Sequence, residues 1–135
     1  MKILLRLSQI GILLAILVFI ATFPVRANYA GRAQLSVRIE RNNSDALFGS
    51  AGTPLGDAQL YIVDDPKAYL EGEGMNKSRL LDENYLKANK IYPLQLQTVD
   101  FFVTYARYGS MASILVFLSL ILWSRSRLSR RNATG

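Results

Sequence analysis

The stretch that most limits what this chain can become is Phe101 to Trp123, FFVTYARYGSMASILVFLSLILW, followed at once by the basic tail SRSRLSRR from Ser124 to Arg131. As an α-helix rising about 1.5 Å per residue it is about 34 Å long, enough to cross a hydrocarbon layer of about 30 Å. From Ile114 to Trp123 it is apolar on nearly every face, a pattern suited to lipid rather than to one side of a soluble core. Its one charge, Arg107, stands beside Tyr105 and Tyr108. An arginine near a helix end sends its guanidinium to the headgroups while its alkyl stem stays in lipid, and tyrosine is enriched at that boundary. Trp123 marks the opposite boundary. The sequence therefore predicts a membrane-spanning helix over residues 101–123.

The distribution of charge sets the expected orientation. The net charge of +6 is carried entirely by the ends: Lys2 and Arg6 precede the first apolar run, and Arg125, Arg127, Arg130 and Arg131 follow the last. Between them bases and acids cancel. Lysine and arginine flanking a spanning segment stay on the cytoplasmic side, so both ends are expected inside and residues 28 to 105 in the periplasm, a lumen or the exterior. Topology thus accounts for the basic residues. With no aromatic side chain interleaved among the terminal arginines, nucleic acid is not expected as a partner.

The chain has no cysteine and no histidine. That removes disulfides, thiolate nucleophiles, Cys/His zinc sites and any Ser-His-Asp triad. No catalytic residue, cofactor or metal is assigned. A soluble part this small, without disulfides, has to be held by its own core, by the membrane or by a partner.

At the other end, residues 1–27 carry Lys2 and Arg6, an apolar run from Ile10 to Phe23, then Pro24-Val25-Arg26-Ala27. Two readings stand. A basic start, a short apolar core, a helix-breaking proline and small residues before a cut after Ala27 describe a signal peptide, the reading taken first. Apolar character reaching back through Ile3, Leu4, Leu5 and Leu7 describes a retained signal anchor. Either choice puts the middle of the chain on the same side.

Residues 28–100 read as an α+β extracytoplasmic domain of about three strands and one or two helices, ahead of the spanning helix at 101–123 and a basic cytoplasmic tail at 124–135. Ala33 to Glu40 alternates, with Leu35, Val37 and Ile39 on one side, and predicts a half-buried strand. Arg41 to Asp45 is turn material. Gly49 to Gly56 is a glycine-rich loop without the Gly-Lys-Ser/Thr ending of a phosphate cradle. Gln59 to Val63 predicts a second strand. Asp65 is placed to cap a short helix starting at Pro66 and running to Glu71, stopped by Gly72. Asn76 to Lys90 predicts a helix of about three turns with Leu81, Tyr85 and Ala88 inward, a Glu83–Lys87 surface pair and Asn89 closing it. Ile91 to Val99 alternates again, and Pro93 confines that strand to an edge.

Two groups of residues are candidate sites. Asp64 and Asp65, with Glu71 or Glu73, are candidate ligands for an ion or for acid–base chemistry; capping is the simpler role for Asp65, and no calcium-loop spacing is present. Gly109 and Ser113, small residues four apart, form a candidate helix-contact surface. The expected function is a non-enzymatic membrane accessory or assembly subunit, with the lipid bilayer and other membrane protein subunits as partners. The alternatives are a carboxylate-based ion-binding protein or membrane-bound enzyme using Asp64 to Glu73, and a peptide-binding module presenting the edge strand near Leu94.

Overall fold

The computed structural model describes residues 2–42 and 52–132, and for Lys2, Met75 and residues 128–132 the backbone only. Residues 43–51, which include much of the Arg41–Asp45 turn and the start of the Gly49–Gly56 loop, lie outside the described residues. The chain forms two compact units, Met1–Arg26 with Phe101–Gly135, and Ala27–Asp100. The fold is α+β: two long apolar helices flank a mixed six-stranded sheet in the sequence.

The sheet is organised around β1 (Gln34–Glu40). One edge of β1 pairs in parallel with β5 (Arg79–Asp82), and Val37 faces Leu80 across that ladder. Its other edge pairs antiparallel with β2 (Thr53–Pro54) and then β3 (Gln59–Ile62). Those two strands are one chain passage interrupted at Leu55–Ala58. There Gly56 takes φ +96°, a left-handed conformation that glycine adopts without cost, and Leu55 N–H donates to Arg38 O at 2.8 Å. β4 (Tyr69–Glu73) pairs with β5, and β6 (Leu94–Gln95) pairs with β3, giving the order β4-β5-β1-β3-β6.

The interior strands β1 and β5 bury apolar side chains on both faces. Leu80 joins Val37 and Ile39 on one face, while its neighbour Leu81 joins Tyr61, Ala68 and Leu86 on the other. This corrects the expected helix over Asn76–Lys90: only its second half is helical, as α2 (Glu83–Ala88). Two adjacent leucines that are both buried are what a doubly covered strand requires, and in a short run that pattern mimics a helix. Asp82, not Asn76, begins α2. Its Oδ1 accepts from the backbone N–H of Asn84 at 3.0 Å and of Tyr85 at 3.2 Å. Asn89 is the C-cap as expected, whereas Ala88 is exposed and Leu86 takes the inward place.

Three further expectations are corrected. Pro66–Ala68 is a single 3-10 turn, and the chain from Tyr69 to Glu73 is strand β4 rather than the body of a helix. Pairing with β5 outweighs the weak helical preference of a few residues, which cannot meet the cost of helix nucleation. The strand over Ile91–Val99 shrinks to Leu94–Gln95, on the sheet edge where Pro93 confines it, because Leu96 already begins the long helix α3 (Leu96–Asn132). Likewise Pro24 does not break the first helix: α1 runs Lys2–Arg32 through it, giving up one backbone hydrogen bond.

β4 reaches β5 through the turn Met75–Lys77. Asn76 and Lys77 both have positive φ, 60° and 57°, and Gly74 N–H donates to Ser78 O at 2.8 Å. Two successive left-handed residues suit the right-handed twist of a hairpin, but Lys77 pays a steric cost there that glycine does not.

The other unit pairs α1 with α3. Both are long and apolar enough to cross a membrane. The buried residues Ser8, Ala15 and Thr22 on α1 repeat every seventh position, as do Val103, Ser110 and Ser124 on α3, with half-buried Phe117 in the same series. A seven-residue repeat keeps one seam of a helix against its partner along its length. The pairing is antiparallel: Thr22 meets Arg107, and Gly11 lies under Phe117.

Candidate functional site

The two carboxylates singled out in the sequence are brought near each other in the chain but not to a common point. Asp64 accepts from the guanidinium of Arg32, which has folded back beside it. Asp65 is an N-cap: Oδ1 accepts from Lys67 N–H at 3.0 Å, and Oδ2 accepts from the Tyr85 hydroxyl at 2.8 Å. The backbone donor and then the phenol hold the Asp65 carboxyl below its ordinary range, and the same bond pushes the Tyr85 phenol up. A carboxylate stabilised in this way is a weaker base at neutral pH. Glu71 and Glu73 follow on β4, with Glu73 at the rim of a separate cavity. Among the described residues, no group of three or more metal-ligating side chains converges.

The strongest electrostatic pair of the domain was missed in the sequence. Arg38 on β1 donates from Nε to Glu83 Oε2 at 2.7 Å and from Nη2 to Oε1 at 2.6 Å, a two-pronged bond between groups 45 positions apart. The Glu83 side chain is only 4% exposed and that of Arg38 is 35% exposed. The surface pair expected between Glu83 and Lys87 forms at 3.7 Å, but Lys87 is closer to Glu40 at 3.1 Å. The bond to Arg38 holds the Glu83 carboxyl below its usual range, and the bond to Glu83 raises Arg38. The only advance signal was the charge on the polar side of an alternating strand, which sequence alone cannot pair. The bond ties α2 to the centre of the sheet.

The face of the sheet opposite α2 carries a cavity among the described residues. Val37, Ile39 and Leu80 floor a cavity of about 610 Å³ rimmed by Pro54, Asp57, Glu73 and Asn76. The floor is apolar and the rim offers carboxylate and amide groups. Among the described residues that line it, none pairs a nucleophile with an adjacent base.

In the helix pair, polar groups are drawn into the seam. Arg107 Nε donates to Thr22 Oγ1 at 3.0 Å, and its guanidinium lies 4.2 Å from the centre of the Phe23 ring. Ser8 and Ser110 hydroxyls return to carbonyls one turn back, Leu4 O and Ala106 O. Of the predicted contact residues, Gly109 faces open space: a Cβ added there would meet no neighbouring side chain within 4 Å. Ser113 is half-buried and donates to Gly109 O at 2.8 Å. Together with Leu14, Val18, Ala106 and Phe117 they line a shallow groove of about 400 Å³ formed by both helices. The spacing of four residues therefore lies on a groove that runs along the contact between the two helices, since Gly11, Ala15 and Ser110 of that contact line it as well.

No protein-family model, curated protein or solved structure matches this chain.

Proposed function

We propose that this protein is a non-enzymatic membrane subunit, held by the α1–α3 hairpin, that presents its α+β domain on the extracytoplasmic side and docks on a larger membrane complex. The observation that carries the reading is the outer surface of the hairpin. Ile3, Leu7, Leu13, Phe102, Leu115 and Leu122 are each more than half exposed along helices long enough to span a bilayer. Such a band is stable only against lipid or protein. The two helices already meet along the seven-residue seam, and the groove at Gly109 and Ser113, which opens beside that seam, allows close approach of another helix. On this reading both ends of the chain are cytoplasmic, as the flanking arginines favour, and the retained anchor is preferred over a cleaved signal because α1 completes the seam.

The test has two parts. Ser126→Cys should resist an impermeant thiol reagent in intact cells while Lys67→Cys reacts; the reverse pattern would overturn the orientation. Purification in mild detergent should then recover further membrane proteins with the wild-type chain. Gly109→Leu with Ser113→Leu should leave abundance unchanged and lower that recovery severalfold. A chain that purifies alone would remove the docking role.

A further inference from the structure

Pairing α1 with α3 has an electrostatic result. Residues 11 and 22 of α1 meet residues 117 and 107 of α3, so the N-terminal end of α1 and the C-terminal end of α3 lie at the same end of the hairpin. Arg6 precedes Gly11 by little more than a turn, and Arg125 and Arg127 follow Phe117 by two to three turns. Lys2 on α1 and Arg130 and Arg131 on α3 extend the same two helix ends. Six cations, equal to the whole net charge of +6, are thereby gathered at one end. No aspartate or glutamate stands before Glu40 or after Asp100. Thus α1 carries no aspartate or glutamate, and α3 carries none beyond Asp100, which stands near the opposite end of the helix from these cations, in contrast to the domain, where Arg32, Arg38 and Lys87 each pair with an acid.

Trp123 sets the depth of this cluster. Arg127 lies 4.5 Å from the centre of its ring, and Arg6, Arg125 and Arg127 are exposed. Tryptophan settles at the boundary of headgroups and acyl chains, so a guanidinium on its face is held at the level of lipid phosphates rather than out in water.

We propose that the paired ends of α1 and α3 form a binding site for anionic phospholipid headgroups, enriching such lipids around this end of the hairpin. The inference rests on the membrane-anchored reading above. Each cation near an anionic bilayer surface favours it by about fivefold, an effect that fades beyond a Debye length.

The test uses the full chain in phosphatidylcholine vesicles, with a fixed fraction of lipid brominated at the same acyl carbons and carrying either a phosphatidylglycerol or a phosphatidylcholine headgroup. Trp123 is the only tryptophan and reports the lipid beside the cluster. At low salt, quenching should favour brominated phosphatidylglycerol by about fivefold or more in apparent affinity, and the two lipids should approach parity near 1 M salt, where the Debye length is about 3 Å. Arg125→Gln, Arg127→Gln, Arg130→Gln and Arg131→Gln together should abolish the preference. Lys2→Gln with Arg6→Gln should lower it at Trp123, although both changes are on the other helix, because the two clusters share lipid. Parity at low salt, or a preference that survives neutralisation or 1 M salt, would overturn the proposal. So would parity together with capture of an RNA oligomer by the protein in purely phosphatidylcholine vesicles, which would assign the cations to nucleic acid. No quenching by either lipid would instead strike the membrane reading on which the proposal stands.

Discussion

Arg38→Met isolates the contribution of the buried ion pair. Methionine keeps most of the aliphatic volume of arginine but removes both donors from Glu83, whose carboxylate remains 4% exposed with Lys87 at 3.7 Å as its nearest cation. Breaking a fully buried pair costs about 3–5 kcal/mol. Here Arg38 is 35% exposed and Lys87 supplies partial compensation, so the expected loss is about 2–3 kcal/mol. Hydrogen–deuterium exchange of the full chain in detergent reads this locally. Amides of β1 and β5, which open with the sheet, should exchange about 30- to 150-fold faster than in wild type. Arg38→Met combined with Glu83→Met should recover more than half of the loss, since no charge is then left buried. Acceleration of less than about fivefold in the single variant, or a double variant worse than the single, would refute the argument that the carboxylate needs its partner.

The same pair predicts acid sensitivity. The folded state holds Glu83 below its ordinary value of 4.5, so its contribution is present above that pH and is lost as pH falls from there through the lower folded value. Exchange protection of β1 should decline over that window in wild type and much less in Arg38→Met. At the β4–β5 turn, Lys77→Gly should stabilise the hairpin by about 1 kcal/mol, because φ 57° costs lysine what it does not cost glycine; slower exchange at Arg79–Leu81 checks it. In the other unit, a Cβ at Gly11 would lie 2.5 Å from Phe117 Cζ, so Gly11→Leu should weaken the helix pair by about 1–3 kcal/mol. Intramolecular bismaleimide crosslinking of a Thr22→Cys/Arg107→Cys protein should then fall severalfold, and an unchanged yield would contradict the seam.

The apolar helices were legible because they depend on composition and length, which a sequence states directly. Strand β1 was legible from its alternation and the cap at Asp65 from its proline, since both are local. Strands β4 and β5 were not. Tyr69–Glu73 and Arg79–Asp82 are strands because each borders another strand, and a residue buried on either side of an interior strand carries no period for a reader to find. The sites divide in the same way. Asp65 was found because a cap binds its own neighbours. The Arg38–Glu83 bond and the seven-residue seam of Ser8, Ala15 and Thr22 were not, because each joins groups far apart in sequence. A small or charged residue names its chemistry in the chain, but its partner is set by which surfaces fold together, and here that was decided by the β1–β5 ladder and by the antiparallel approach of α1 to α3.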